Sequence, residues 1–229
     1  MLVDRPPMDF WNTLDEAEQT ALTQAGRSRR FRHGAPLCYQ GEPADQVLII
    51  RTGWAKVSVA DADGRERLMA LRGPGELIGE MGTLGDDARN ATVTALQSVT
   101  AMSVSGSRFI AFLASHPGAW QKVVRTMVDR LVQADRRIVK TGTLIGAGRL
   151  ALFLLELAER NGRPFAGGGI EVPPLSQAEL GSYVDASRET VARAFKDWRA
   201  AGIIATGWRQ TVILDPARLR LFAESLDDL

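Results

Sequence analysis

The sequence of 229 residues contains few of the side chains that bind metal ions or form disulfides. It has one cysteine, Cys38, and two histidines, His33 and His116, which lie in unrelated sequence contexts. One cysteine cannot form an internal disulfide, and alone it cannot hold a zinc ion or an iron–sulfur cluster. We therefore expect no metal site and no cofactor that the fold requires.

The sequence also lacks long apolar runs and an excess of charge of one sign. Its start, MLVDRPPMDFW, has no apolar core of signal-peptide length, and its most apolar stretch, LIGAGRLALFLLELA, contains Arg149 and Glu156 and is too short to span a bilayer. These features predict a cytoplasmic protein without a membrane partner. The formal net charge is +1, so a nucleic-acid partner has to be inferred from local arrangement.

The first half of the chain has the pattern of a small β-structure. Residues 9–25 have the composition of a short surface helix. From about residue 30 to 105, short β-branched runs are separated by Gly, Pro, Asp and Asn, and Asp63-Gly64 is a hairpin signal between two of them. Many short strands at close spacing predict an antiparallel roll or barrel.

Helical character returns from roughly residue 107 to 143 and carries a narrow apolar seam. Five residues there follow the three-and-four spacing of a heptad: Val124, Met127, Leu131, Ala134 and Ile138. A narrow stripe on a long helix between two domains favours pairing with a second copy of the chain. We therefore predict a homodimer, with packing of the seam on its own domain as the alternative.

The last third of the chain begins after a hinge near residues 141–148. A helix over about 147–160 is followed by the Gly/Pro-rich connection NGRPFAGGGIEVPP, by two short helices and by a hairpin that turns near Gly207. In the segment between, Ser176 and Glu179 have the spacing of a capping box, and Ser187 is placed to cap the second helix. That second helix has one predicted buried face, formed by Val191, Ala194, Phe195 and Trp198.

Long polar side chains remain outside that face, at the front of the second helix. A helix, a tight turn and a second helix match the geometry that presents a recognition helix to the DNA major groove. Arginine can donate two hydrogen bonds to guanine and glutamate can accept one from cytosine, whereas donors further along suit phosphates. An ordinary solvated helix is the alternative, because Glu189 in a first turn also complements the helix dipole. The candidate DNA-binding residues are Ser187, Arg188, Glu189, Arg193, Lys196 and Arg199.

The stretch LSQAELGSYVDASRETVARAFKDWRAAGII strongly resembles the winged helix-turn-helix of the cyclic-AMP receptor protein and Fnr (Crp/Fnr) family of bacterial transcriptional regulators. The resemblance extends over nearly the whole chain. It implies an α+β fold with an N-terminal antiparallel β-roll over 1–117, a dimerisation helix over 118–143 and a C-terminal winged helix-turn-helix over 144–229. It also implies a palindromic operator in double-stranded DNA, with a GTG- or TGTGA-like half-site, and RNA polymerase as a further candidate partner.

A second stretch, LIGEMGTLGDDARNATVTA, resembles the phosphate-binding cassette of the same family. Glycine permits close backbone approach, an arginine with loop amides can neutralise a cyclic phosphate, and a glutamate can accept a ribose hydroxyl. The resemblance implies that Arg130 lies near the cassette glutamate and that Ala134 and Asp135 face the base. The cassette residues are Gly79, Glu80, Arg89, Asn90 and Ala91.

Three of these positions depart from the cyclic-AMP pattern, and the cassette is one residue shorter than in the best-known member. Asn90 stands where Ser or Thr is usual, Ala134 cannot bond a base edge, and an ionised Asp135 can only accept hydrogen bonds. We therefore expect weak binding of cyclic AMP and better binding of a guanine cyclic nucleotide. An ion pair from Asp135 to Arg136 or Arg137 across the dimer is the alternative.

The leading interpretation is a dimeric transcription factor whose β-roll binds a cyclic nucleotide or a related phosphate-bearing effector. A second interpretation keeps DNA binding but makes the roll a structural or protein-interaction domain without an effector. A third, an enzyme with an appended winged helix, is disfavoured because the sequence has no catalytic triad, metal spacing or P-loop. The single cysteine also excludes the family branches that sense oxygen through iron–sulfur clusters.

Overall fold

The computed structural model describes residues 9–60, 64, 66–141 and 146–224, with side chains described outside 136–141 and 222–224. The chain forms two compact units, residues 1–132 and residues 133–229. Each unit has its own antiparallel β-structure and its own buried core.

Eight strands of unit 1 form two four-stranded antiparallel sheets, with strand orders β1-β8-β3-β6 and β2-β7-β4-β5. This confirms the predicted antiparallel roll. The strands are β1 (Arg27–Phe31), β2 (Pro36–Cys38), β3 (Gln46–Thr52), β4 (Ala55–Ala60), β5 (Glu66–Arg72), β6 (Leu77–Ile78), β7 (Thr92–Ala95) and β8 (Val99–Ser105).

The predicted hairpin within the roll is confirmed by the pairing of β4 with β5. The two strands pair antiparallel from Ala55 opposite Arg72 to Ala60 opposite Glu66. Asp63 of the turn signal lies outside the described residues, whereas Gly64 has the positive φ of 75° that such a turn requires.

Apolar side chains of the roll are shared between two clusters because successive residues of a strand point to opposite faces. In β3, Leu48 and Ile50 belong to a cluster with residues of β2, β7 and β8. Val47 and Ile49 pack instead against the helices of the unit, in a cluster that includes Phe109. The central strand is therefore buried on both faces, which explains its continuous run of apolar residues.

The helices of unit 1 are more interrupted than the sequence pattern predicted. Residues 9–25 form two helices, because Asp15 and Glu18 make a reciprocal capping box that starts a new one. The stretch from 107 is likewise divided at His116, because Pro117 has no N–H to continue the preceding helix. The helices are α1 (Phe10–Thr13), α2 (Glu16–Ala25), α3 (Glu80–Gly85), α4 (Gly106–Ser115) and α5 (Pro117–Thr141).

Unit 2 contains four helices and a four-stranded antiparallel sheet of order β11-β12-β10-β9 among its described residues. The predicted helix after the hinge, the two following helices and the hairpin near Gly207 are confirmed. The helices are α6 (Gly146–Asn161), α7 (Gln177–Val184), α8 (Arg188–Ala200) and α9 (Pro216–Glu224). The strands are β9 (Arg163–Pro164), β10 (Ile170–Val172), β11 (Ile204–Gly207) and β12 (Gln210–Ile213).

The Gly/Pro-rich connection of unit 2 is more ordered than a loop. Its two short strands β9 and β10 pair antiparallel, and β10 pairs in turn with β12. Gly169 makes this possible, because it has a φ of 92° and a side-chain carbon there would lie 2.4 Å from the carbonyl oxygen of Ile213. The connection therefore supplies half of the small sheet that carries the C-terminal hairpin.

Candidate DNA interface and effector pocket

The cassette in unit 1 begins where β6 ends and α3 starts. Gly79 is the N-cap of α3 and has a φ of 87°, in the left-handed region. A side-chain carbon at this position would lie 1.8 Å from Nη1 of Arg89. Glycine is therefore required both by the backbone conformation and by the close approach of a guanidinium group.

Arg89 is buried directly over that glycine. It donates from Nη1 to the carbonyl oxygen of Gly79 at 3.1 Å and from Nη2 to that of Gln46 at 2.6 Å. The exposed carboxylate of Asp45 lies 3.9 Å from Nη2. The buried guanidinium is thus paired with a single carboxylate that is itself open to solvent, and it provides local positive charge at the cassette.

Glu80 and Arg130 form an ion pair in which the carboxylate is buried and the guanidinium is partly exposed. Nη1 of Arg130 bonds Oε1 of Glu80, and its Nη2 donates to the carbonyl oxygen of Leu77 at 2.7 Å. Glu80 is only 1% exposed, and its second oxygen, Oε2, has no hydrogen-bond partner among the described residues. A buried carboxylate oxygen without a donor is unfavourable, so this atom marks a position where a hydroxyl donor would be stabilised.

The other predicted ligand residues have different environments. The exposed Asn90 donates from Nδ2 to Sδ of Met81 at 3.8 Å, and Ala91 is buried. Ala134 and Asp135 lie on α5 at the start of unit 2, where both are exposed. Unit 1 thus brings six of the predicted residues into one region, and the roles of Ala134 and Asp135 stay predictions.

Cys38 lies near the same region, on the strand that pairs with β7. Burial raises the pKa of its thiol, and the positive charge of Arg89 lowers it by less. The thiol is therefore protonated near neutral pH and has little nucleophilic character. Among the described residues there is also no cluster of three or more side chains that could hold a metal ion.

In unit 2, α7 and α8 form a helix-turn-helix whose caps the sequence predicted. Ser176 and Glu179 make both hydrogen bonds of a capping box, and Oγ of Ser187 accepts from the amide of Thr190 at 3.1 Å. The turn requires glycine at position 181, because a side-chain carbon there would lie 2.8 Å from the carbonyl oxygen of Ala186. Close packing at Gly181 therefore fixes the approach of the two helices.

One face of α8 is buried and the other presents charged side chains to solvent. The predicted apolar face, Val191, Ala194, Phe195 and Trp198, is buried as expected. Arg193 pairs with Glu189 at 3.1 Å, and both side chains are exposed. The other candidate DNA-binding residues are exposed as well: Ser187, Arg188, Lys196 and Arg199.

Arg199 differs from Arg193 because one of its partners lies outside α8. It donates from Nε to the carbonyl oxygen of Phe195 and from Nη1 to Oγ1 of Thr206, each at 3.2 Å. Thr206 belongs to β11, so this side chain connects the end of α8 to the C-terminal hairpin. Its predicted phosphate contact stays a prediction.

Arg149 has a structural role that the sequence pattern did not reveal. It reaches from α6 to the end of α7, donating from Nε to the carbonyl oxygen of Val184 and from Nη2 to that of Asp185, each at 2.8 Å. Carbonyls at the end of a helix have no partner within the helix, so a cation there satisfies them and complements the dipole. The only sign in the sequence is an arginine within an apolar stretch.

The exposed apolar face of α5 differs in part from the predicted seam. Val124 and Leu131 are exposed, as a partner-facing seam requires, but Met127 is partly buried and packs against the core of unit 1. Met127 follows the fully buried Val123 by one helical turn, which places both on the inner face. The side chain of Ile138 lies outside the described set. The large exposed apolar residues of this helix are Trp120, Val124, Val128, Leu131 and Val132.

A β-roll with a buried arginine and glutamate in its cassette, together with a winged helix-turn-helix, defines a class of transcription regulators. Residues 28–116 match the model of the cyclic nucleotide-binding domain, and residues 148–222 match that of the Crp-like helix-turn-helix domain. The chain belongs to the Crp/Fnr family and is a DNA-binding regulator. No helix of its described part is both long enough and apolar enough to cross a membrane.

Relatives of known function match almost the full length of the chain. The CRP-like cAMP-activated global transcriptional regulator of Mycobacterium tuberculosis is 31% identical over 200 residues, covering 87% of this chain and 89% of its own. The cyclic AMP receptor protein of Thermus thermophilus is 25% identical over 217 residues, covering 95% and 97%. The c-di-GMP responsive regulator CLP of Xanthomonas campestris shares the fold, with a TM-score of 0.74, 20% identity and coverage of 87% and 99%.

Proposed function

We propose that the chain is a homodimeric regulator whose β-roll binds a cyclic nucleotide, and that this binding controls the affinity of α8 for a palindromic operator. One observation carries the effector part of the proposal. The carboxylate of Glu80 is buried, one of its oxygens bonds Arg130, and the other has no donor among the described residues. A ribose hydroxyl would supply that donor.

The neighbouring groups fit the rest of such a ligand. A guanidinium has five N–H donors, and Arg89 uses one at Gly79 and one at Gln46, so donors remain for a phosphate. The exposed amide of Asn90 is a further donor at the same loop. Ribose and phosphate are common to all cyclic nucleotides, so these residues favour the ligand class and do not discriminate between bases.

The base preference depends on Ala134 and Asp135. An ionised carboxylate only accepts hydrogen bonds, and guanine offers two adjacent N–H donors where adenine offers one amine. This favours a guanine cyclic nucleotide. The Mycobacterium tuberculosis relative is named as cAMP-activated, which favours adenine. Both nucleotides therefore belong in the test.

A specific observation also favours the alternative, a regulator without an effector. Arg89 is already bonded to two backbone carbonyls and closes the loop from inside, as a purely structural arginine would. In that case the ion pair of Glu80 and Arg130 only attaches α5 to the roll. The two proposals differ in whether the purified protein binds a nucleotide at all.

Isothermal titration of the nucleotide-free, full-length protein with cyclic AMP and with cyclic GMP decides between them. We expect one nucleotide to bind, and we expect Glu80→Gln to weaken its binding by about tenfold or more, because a buried hydrogen bond to a charged group is lost.

Asp87→Asn is the matched control, since it makes the same charge change on an exposed residue of the same loop. Asn90→Ala, which leaves the core intact, should weaken binding as well. Folded wild-type protein that binds neither nucleotide would support the effector-independent regulator.

The dimer part of the proposal is supported by the exposed apolar stripe on α5. Its aliphatic members recur at steps of three and four residues and lie on one side of the helix. A contiguous exposed stripe of this kind is costly in water and typical of an interface. A second copy is the occupant that a palindromic operator requires, because twofold DNA symmetry mirrors twofold protein symmetry.

A further inference from the structure

The effector cassette contains a methionine whose side chain is open to solvent. Met81 lies in the first turn of α3 and is 52% exposed, the largest value among the methionines that the structure describes. Met69 on β5 is also exposed, whereas Met102 is buried and Met127 packs against the core of unit 1. A peroxide oxidises a thioether only where it can reach the sulfur, so exposure selects Met81 and Met69 over the two core methionines.

The sulfur of Met81 is in contact with the side chain of Asn90. Nδ2 of Asn90 donates to Sδ of Met81 at 3.8 Å, and a thioether sulfur is only a weak acceptor. The same amide is the donor that the proposed function assigns to the phosphate of the effector. Met81 therefore lies beside a proposed ligand-binding group, although it is not itself one of the proposed ligand residues.

The backbone on both sides of this contact is held in place. The residue before Met81 is buried and ion-paired. The residue before Asn90 makes two backbone hydrogen bonds of 2.8 Å to the loop after β2, at Gly41 and Glu42. The two side chains therefore meet from fixed positions, so a chemical change at the sulfur acts directly on the amide of Asn90.

Oxidation replaces the weak contact by a strong one. Hydrogen peroxide transfers one oxygen atom to the thioether: the O–O bond breaks, an S–O bond forms, the sulfur loses two electrons, and the other oxygen leaves as water with both protons. The resulting sulfoxide is polar, and its oxygen accepts hydrogen bonds far better than sulfur does. This oxygen occupies the amide of Asn90 and places a partial negative charge beside the donor that an anionic phosphate needs, so it opposes binding of the anion.

We infer that Met81 is a reversible oxidation site, at which a peroxide lowers the affinity of the β-roll for its phosphate-bearing effector. Reduction of the sulfoxide by methionine sulfoxide reductases restores the thioether and the affinity. The effect on affinity rests on the proposed function, whereas the contact between the sulfoxide and Asn90 does not.

The test uses the full-length, nucleotide-free protein treated with dilute hydrogen peroxide, with catalase added to end the reaction. Peptide mass spectrometry should show one added oxygen on Met81 and on Met69 and none on Met102. We expect the affinity for the cyclic nucleotide that the wild type binds to fall by about tenfold, the size of one lost hydrogen bond to a charged group. It should recover after treatment with the two reductases that act on the two sulfoxide epimers.

Two variants separate Met81 from other oxidised positions. Met81→Leu keeps the side-chain volume but removes the oxidisable sulfur, so it should bind the nucleotide as the wild type does and keep that affinity after peroxide. Met69→Leu is the matched control, because it removes the other exposed thioether and should stay as sensitive as the wild type. Loss of affinity in treated Met81→Leu, or unchanged affinity in wild-type protein oxidised at Met81, would show that the inference is wrong.

Nuclear magnetic resonance gives a readout that needs no nucleotide. The side-chain amide signal of Asn90, assigned by its loss in Asn90→Ala, should move when the wild type is oxidised and stay in place when Met81→Leu is treated alike. If the wild type binds neither nucleotide, the proposed function fails, and this signal alone decides whether oxidation of Met81 acts on Asn90. A signal that does not move in oxidised wild-type protein overturns the inference.

Discussion

At the scale of single residues, the ion pair of the cassette and the ion pair of α8 differ in how much free energy it costs to break them. Glu80 is buried and Arg130 is partly exposed, so removing Arg130 leaves the carboxylate as an uncompensated charge in the core. Glu189 and Arg193 are exposed and one helical turn apart, where a pair contributes little. The pair on α8 can therefore open at small cost and offer both side chains to base edges.

This leads to a prediction for Arg188 and Arg193. Replacing either with Ala should cost roughly 1–3 kcal/mol of binding free energy on the selected duplex, the one that the wild-type protein enriches from a randomised pool. It should also relax the preference at one base pair, because a bidentate contact to guanine is lost. The measurement is binding to the selected duplex and to each of its single-base variants.

The control for this prediction is Arg32→Ala, which removes the same charge from an exposed position of unit 1. It should leave the base preference unchanged. Equal losses on selected and random duplexes for the α8 variants would contradict base reading and would indicate phosphate contacts only.

At the scale of elements, the sequence predicts the helix caps, helix faces and hairpins that depend on residues close to one another in the chain. The capping boxes of α2 and α7, the buried face of α8 and the pairing of β4 with β5 all depend on residues that are close in sequence. The apolar pattern from residue 107 did not show the break at Pro117, because its period continues across the proline, whereas the resemblance implied a separate helix from residue 118.

Contacts between distant residues could not be predicted in this way. The carbonyl oxygen of Gln46 bonds Arg89 from 43 positions away, and Arg149 reaches the end of α7 over 35 positions. Neither contact can be inferred from a repeating pattern of residue types in the sequence. The cassette could therefore be identified from its resemblance to that of the family. The hydrogen bonds of Arg89 to backbone carbonyls could be identified only from the structure.

The cap on α7 gives a prediction for this scale. Arg149→Met keeps most of the apolar stem but removes two hydrogen bonds from a charged donor to helix-end carbonyls, so we expect unit 2 to lose about 1.5–3 kcal/mol of unfolding free energy. Urea unfolding followed by the emission of the buried tryptophans measures the change.

Two further variants separate the cap from other effects. Arg149→Lys should recover part of the loss, because an ammonium group can bond one carbonyl but not two in the same fork. Arg163→Met changes an exposed arginine of the same unit and should be neutral. A loss below about 0.5 kcal/mol for Arg149→Met, the range of ordinary surface substitutions, would mean that solvent replaces the cap at no cost.

At the scale of the whole molecule, the proposed dimer would link the stripe on α5 to operator binding. A single winged helix-turn-helix reads one half-site, and two copies reach successive major grooves about 34 Å apart only when they are held together. Leu131 is 63% exposed in the single chain, the largest exposure among the aliphatic residues of the stripe. Its burial against a second copy would contribute roughly 1.5–3 kcal/mol per side chain.

Leu131→Asp should therefore convert the dimer to monomers, because twofold symmetry places two buried carboxylates in one interface for each substitution. Sedimentation velocity at micromolar concentration measures the assembly, and the affinity for a duplex with two half-sites should fall to the affinity for a duplex with one.

Ile110→Asp is the matched control: it places the same charge on an exposed aliphatic position of α4 and should leave both measurements unchanged. An intact dimer for Leu131→Asp would show that the stripe is not the interface. Monomers that still prefer the two-site duplex would show instead that DNA brings the copies together.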